Sequence, residues 1–138
     1  MPHWLYKSEP FKWSWEMQVK AGPKGTYWDG VRNHSAKLNL KAMRLGDQGF
    51  FYHSNEGLEI VGIVEVIREA YPDPTAEQGD PWVVVDLKAI KALPRPVALA
   101  TVKATPALAS MSLVTSMRLS VQPVTEAEWA LVCTMGGL

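Results

Sequence analysis

The chain has 138 residues, 47% of them hydrophobic, and a formal net charge of zero, which fits one compact domain with a core that needs no covalent staples. Its one cysteine, Cys133, excludes an intrachain disulfide and argues against a thiolate metal site; flanked by Leu131 and Val132, it reads as a small core residue suited to a reducing compartment. No run approaches the roughly 20 apolar residues that span a bilayer, and Met1-Pro2-His3-Trp4 lacks the basic and apolar regions of a secretory signal, so a soluble, cytoplasmic protein is expected.

Taken in chain order, Trp4 to Ser8 reads as a first strand. Ser14 caps a short helix over Trp15 to Lys20, ended by Gly22-Pro23. Thr26-Tyr27-Trp28 leads to a turn at Asp29-Gly30 and a helix from near Asn33, with Ala36, Leu40 and Met43 spaced to face the core and Gly46 as its stop. Lys37, Lys41 and Arg44 fall on a second stripe of that helix, turned outward. Gln48 to Ser54 and Glu59 to Glu69 are two strands joined by Asn55-Glu56-Gly57. The prolines of Tyr71-Pro72-Asp73-Pro74-Thr75 keep that loop out of a central sheet. Trp82 to Leu93 alternates Val83, Val85, Leu87 and Ala89 with Asp86 and Lys88, a strand with one buried face. Helical turns follow around Leu99 to Lys103 and Pro106 to Ala109, then a last strand over Ser120 to Val124. Thr125 and Glu128 form a capping box, with Val124 and Trp129 stapled across it. Five or so strands with short helices around the rim predict an α+β domain built on a small β-barrel, residues 1–138.

Zero net charge argues against tight, sequence-blind binding to long nucleic acid, which relies on neutralising many phosphates. The charge is unevenly placed, however. Residues 1–44 hold eight Lys and Arg against three acids, and the remainder six against eleven. Such a basic half is compatible with local phosphate contact, and equally with a solvated face.

Four stretches place polar groups and aromatics at strand ends and turns, where functional residues concentrate. They are Lys7-Ser8-Glu9-Pro10, Trp28-Asp29-Gly30-Val31-Arg32-Asn33, Phe51-Tyr52-His53-Ser54 and Arg118-Leu119-Ser120-Val121-Gln122-Pro123-Val124. In this order they resemble the motifs of the EVE domain family, within the PUA-like superfamily. The loop Tyr71 to Thr75 and the run Asp86 to Val97 resemble family segments too, so the likeness extends from Trp4 to Trp129. A fainter likeness to the YTH domain, a reader of methylated adenine in RNA, lies in Lys7-Ser8, Trp28, Leu38-Asn39-Leu40 and Trp82. The resemblance implies a PUA-like barrel that binds nucleic acid, DNA or RNA, carrying a modified base. The chain departs from the family pattern at Phe11, His34-Ser35 and Leu38.

A base taken out of its strand must be held by its flat faces and read along its polar edge, and stacking on an aromatic is worth about 1–3 kcal/mol. Among the six tryptophans, Trp4 and Trp129 read as core, and Trp13 and Trp15 as packing beside a helix start. Trp28, before a glycine turn, is the candidate stacking platform, with Trp82 or Tyr52 opposite. Gly30 lets backbone approach a ligand, or simply supplies a turn with positive φ. Asn33 suits a helix cap as well as a base edge. Arg32 has a phosphate, Glu9 or Asp29 as possible partners. Ser8, Glu9, Asn33, His53 and Ser54 are the edge-reading candidates, with His53 equally suited to a structural role. Lys7, Val31, Arg118 and Ser120 complete the expected pocket, and Lys37, Lys41 and Arg44 are the candidate phosphate contacts.

Three scattered histidines and one cysteine match no metal template, and neither a phosphate loop nor a nucleophile elbow is present. No metal, cofactor or catalytic residue is expected, and the protein is expected to act as a monomer. The rival reading is a small hydrolase of modified nucleosides, like PUA-like ASCH domains, with Lys7, Ser8, Glu9 and His53 converging on one cavity. A pure protein-interaction module leaves the motif cluster unexplained.

Overall fold

The computed structural model describes residues 2–138. Six strands form one sheet: β1 (His3–Ser8), β2 (Thr26–Tyr27), β3 (Gln48–His53), β4 (Glu59–Pro72), β5 (Val83–Ala98) and β6 (Val121–Val124). Their order is β2-β5-β4-β3-β1-β6; β1 and β3 run parallel and every other pair is antiparallel. Among the described residues β2 and β6 are unpaired edges, so the closed barrel expected from the sequence is an open sheet instead. Closure requires an unbroken ladder, and β2 supplies only two paired residues, Thr26 and Tyr27.

Strand alternation splits the core into two clusters, one on each face of the sheet. Trp4, Tyr6 and Phe51 face one way and pack with Trp28, with Ala36 and Leu40 of the helix α2 (His34–Ala42), and with Met43, the residue that caps it. Leu5, Phe50 and Tyr52 face the other way. They meet Val102 of α3 (Leu99–Ala104), Leu113 of α4 (Ser112–Thr115) and Val132 of α5 (Glu126–Met135). The short α1 (Trp15–Lys20) lays the Trp15 indole over Gly62, where an added Cβ would lie 2.4 Å from the ring.

Local signals explain most boundaries. Ser14 accepts from the Met17 N–H, Asn33 from the Ala36 N–H, and Thr125 and Glu128 form both halves of the capping box. Two strands run further than expected. β4 runs on through Tyr71 to Pro72, where the proline is the last residue of the strand. β5 continues past Leu93 through Pro94 and Pro96. Leu93 to Pro96 lie opposite Val61 alone, between the pairs Gly62–Ala92 and Ile60–Val97, so the prolines sit in a bulge that needs no ladder donors. The α2 helix stops at Ala42, before Gly46, which places Arg44 beyond the helix. No helix among the described residues is long and apolar enough to cross a membrane.

Candidate nucleic-acid interface

β1 ends at Ser8, and the chain then turns tightly, with the Lys12 and Trp13 N–H groups both donating to the Glu9 carbonyl at 2.9 Å. The Ser8 hydroxyl donates to the Trp13 carbonyl and closes the same turn. On the other side, the Trp28 N–H donates to the Val85 carbonyl at 2.9 Å and docks the segment after β2 onto β5. A cavity of about 610 Å³ opens between these two segments. It is lined by Lys7, Ser8, Glu9, Lys12, Trp13, Thr26, Tyr27, Trp28, Asp29, Gly30, Val31 and Ser120. Its volume lies within the roughly 300–1,000 Å³ of small-molecule sites.

Trp28 is 7% exposed, wedged between Tyr6 at 5.4 Å and the edge of Phe51 at 5.6 Å. It is a core residue that also lines the cavity. The second indole of the lining is Trp13, read from the sequence as packing only. Its Nε1 donates to Gln18 at 2.8 Å, and Gln18 is itself fully buried, donating to the Leu87 carbonyl at 3.0 Å. A glutamine four residues past the Ser14 cap is the one sequence signal that could have marked this anchor. Lys12, Thr26, Tyr27 and Asp29 were also missed; Lys12 pairs with Glu9 at 3.4 Å within the same turn.

The loop from Trp28 to Asn33 is held from outside by Asp73. This carboxylate has no exposed side-chain surface. It accepts from Gly30 N–H at 3.2 Å, Arg32 Nη1 at 3.0 Å, and the Thr75 N–H and hydroxyl at 2.7 and 2.6 Å. Burial alone would raise the Asp73 carboxyl, but the hydrogen bonds from Thr75, Arg32 and Gly30 outweigh it and hold the group below its ordinary value. Arg32 therefore pairs with neither Glu9 nor Asp29. Gly30 sits at φ +77°, a conformation suited to glycine, with open space where a side chain would stand.

Several expected residues lie elsewhere. The His53 Nε2 accepts the Trp15 N–H at 3.1 Å, a structural bond, and burial lowers its pKa. The grouping of Lys7, Ser8, Glu9 and His53 on one cavity is therefore not assembled. Asn33 uses its side-chain oxygen as the α2 cap, 2.9 Å from the Ala36 nitrogen. Trp82 lies outside the cavity lining, 5.0 Å from the His34 ring and 5.9 Å from the Arg32 guanidinium carbon. Tyr52, Ser54, Arg118 and Ser120 line a second cavity of about 430 Å³, which Lys7, Glu9 and Ser120 share with the first. Tyr52, on the opposite face of the sheet from Trp28, is no stacking partner for it. Arg44 has Glu69 at 3.9 Å, leaving Lys37 and Lys41 as the stripe without a carboxylate at salt-bridge distance among the described residues.

The EVE domain model matches residues 2–135. The chain belongs to the EVE domain family. A protein of Agrobacterium tumefaciens with a solved structure is 62% identical to this EVE domain; it superposes with a TM-score of 0.98, covering 100% of this chain and 94% of that one. Thymocyte nuclear protein 1 of Mus musculus is 39% identical over 165 residues, spanning 96% of this chain and 73% of the relative. Human THYN1 protein, solved in complex with DNA containing 5-methylcytosine, is 36% identical with a TM-score of 0.90, covering 100% of this chain and 99% of that one. An ASCH protein of Zymomonas mobilis is 12% identical with a TM-score of 0.62, covering 96% of this chain and 97% of that one, a likeness of fold alone.

Proposed function

We propose that this single EVE module binds DNA and lodges one extruded, modified base in the 610 Å³ cavity between the Glu9–Trp13 turn and the Trp28–Val31 segment. The observation that carries the reading is the pairing of that cavity, with two indoles in its lining, with a 36%-identical human relative solved on DNA containing 5-methylcytosine. Trp13 and Trp28 supply apolar wall, of which Trp28 is the immobile part because Tyr6 and Phe51 hold it. Glu9 and Asp29 offer acceptors for an exocyclic amino group, and Ser120 a hydroxyl for a ring acceptor. Asp73 acts through Gly30 and Arg32 as a positioning residue that sets the height of the loop. Of the hydrolase constellation, His53 lies outside the cavity lining, its Nε2 accepting the Trp15 N–H, whereas Lys7, Ser8 and Glu9 line the cavity.

The test is a fluorescence titration with matched oligonucleotides carrying 5-methylcytosine, cytosine or an abasic site at one position, in DNA and in RNA. Tryptophan emission is expected to be quenched saturably, with affinity falling in that order and the DNA series binding more tightly. Equal affinity for the abasic strand would remove the base from the cavity.

A further inference from the structure

The second cavity is continuous in its lining with the first but has a different chemistry. Glu9 is the sole acid in its lining, already paired with Lys12 at 3.4 Å, whereas two cations, Lys7 and Arg118, line it. Neither cation has a carboxylate within 4.0 Å among the described residues. Lys7 stands in the wall between the two cavities, half-buried, with its ammonium donating to the Met117 carbonyl. An ammonium carries three donors, and the described residues satisfy one of them. Partial burial lowers the Lys7 pKa. The Arg118 guanidinium is exposed and makes no side-chain hydrogen bond among the described residues, so its planar fork is free. Ser54 and Ser120 add hydroxyls to the same lining.

We propose that the second cavity is a phosphodiester site, in which Lys7 and Arg118 hold the linkage that flanks the base lodged next door. The proposal rests on the base-binding reading for its register, because the two cavities share Lys7, Glu9 and Ser120 in their linings and so adjoin closely enough for one nucleotide's base and phosphate. A guanidinium fork matches two phosphate oxygens, and a half-buried ammonium supplies point charge beside it. Backbone capture then occurs at the cavity mouth, on two side chains, and explains how a chain of zero net charge can hold a strand without a broad basic face.

The experiment crosses two changes in one oligonucleotide: 5-methylcytosine or an abasic site at the central position, and a native or a single neutral methylphosphonate linkage beside it. The neutral linkage, on one side of the position, is expected to weaken binding about tenfold in both the base-bearing and the abasic strands and to lower the salt slope by about one unit. Arg118→Gln, at an exposed position where folding is not at stake, is expected to reproduce that loss and to abolish the further effect of the neutral linkage. Lys7→Gln is expected to do the same, with a thermal melt as its folding control. Unchanged affinity with the neutral linkage on either side, or an undiminished linkage effect in Arg118→Gln, overturns the proposal. A loss on removing the base with none on neutralising the linkage overturns this inference alone. A loss on neutralising the linkage with none on removing the base overturns the base cavity and keeps the phosphate site.

Discussion

Asp73→Ala tests whether one buried carboxylate holds the cavity wall in place. The substitution removes the acceptor of four hydrogen bonds, from Gly30, Arg32 and twice from Thr75. A hydrogen bond to a charged group contributes about 1.5–3 kcal/mol, but donors that reach water recover part of it. Arg32 is 40% exposed and both Gly30 and Thr75 are exposed, so the loss should fall below that of a fully sequestered pair, at about 2–4 kcal/mol. In a chain of this size that lowers Tm by about 8–15 °C, read by circular dichroism at neutral pH. The sign with pH follows from the depressed folded-state pKa. The contribution of Asp73 is complete above its unfolded value, ordinarily 3.8, and is lost as pH falls through the lower folded value. The gap between wild type and variant should therefore be constant near neutrality and narrow only in strong acid. Oligonucleotide affinity should fall with Tm, because Trp28, Asp29 and Gly30 precede the anchored Arg32 in the same loop. A variant that melts with the wild type at pH 7 would refute the clamp.

Trp28→Ala should cost about 3–5 kcal/mol, since the indole fills the space between Tyr6 and Phe51; a chemical denaturation curve will show it, and an unchanged midpoint would return Trp28 to the surface. His53 titrates below its ordinary value of 6.5 because of burial, and its neutral Nε2 is the acceptor for Trp15. Stability should thus be complete above about pH 6.5 and decline as pH falls below it, and His53→Gln should flatten that decline in Tm; His3, also depressed by burial, keeps its own share. Lys37→Ala with Lys41→Ala should reduce the salt slope of oligonucleotide binding by about one or two units if the helix stripe meets phosphates; an unchanged slope makes it a solvated face.

Features that depend on neighbouring residues were legible before the fold was. The caps at Ser14, Asn33 and Thr125 need only a few residues of sequence to specify, and so does the burial of Ala36 and Leu40 along one helix face. Features that depend on what lies across the sheet were not. The strand expected to end at Leu93 runs on through Pro94 and Pro96, because a proline in a bulge costs no ladder bond and bulges are set by the partner strand. Trp13 and Trp28 illustrate the same limit in the site. Nothing adjoining either indole in sequence says that Gln18 reaches the Leu87 carbonyl of β5 while Tyr6 and Phe51 lock Trp28. His53 was ambiguous because its partner, the Trp15 N–H, lies 38 positions away.

The parallel pairing of β1 with β3 places the first strand inside the sheet, with β6 on its other side. During synthesis, His3–Ser8 emerges early and must wait for Gln48–His53 before gaining one neighbour, and for Val121–Val124 before gaining the second. Until then its backbone donors and acceptors form a sticky margin able to recruit another nascent chain. Truncation ahead of β6 would make that hazard permanent, so fragments lacking the final strand should precipitate even where the cavity-forming residues are all retained.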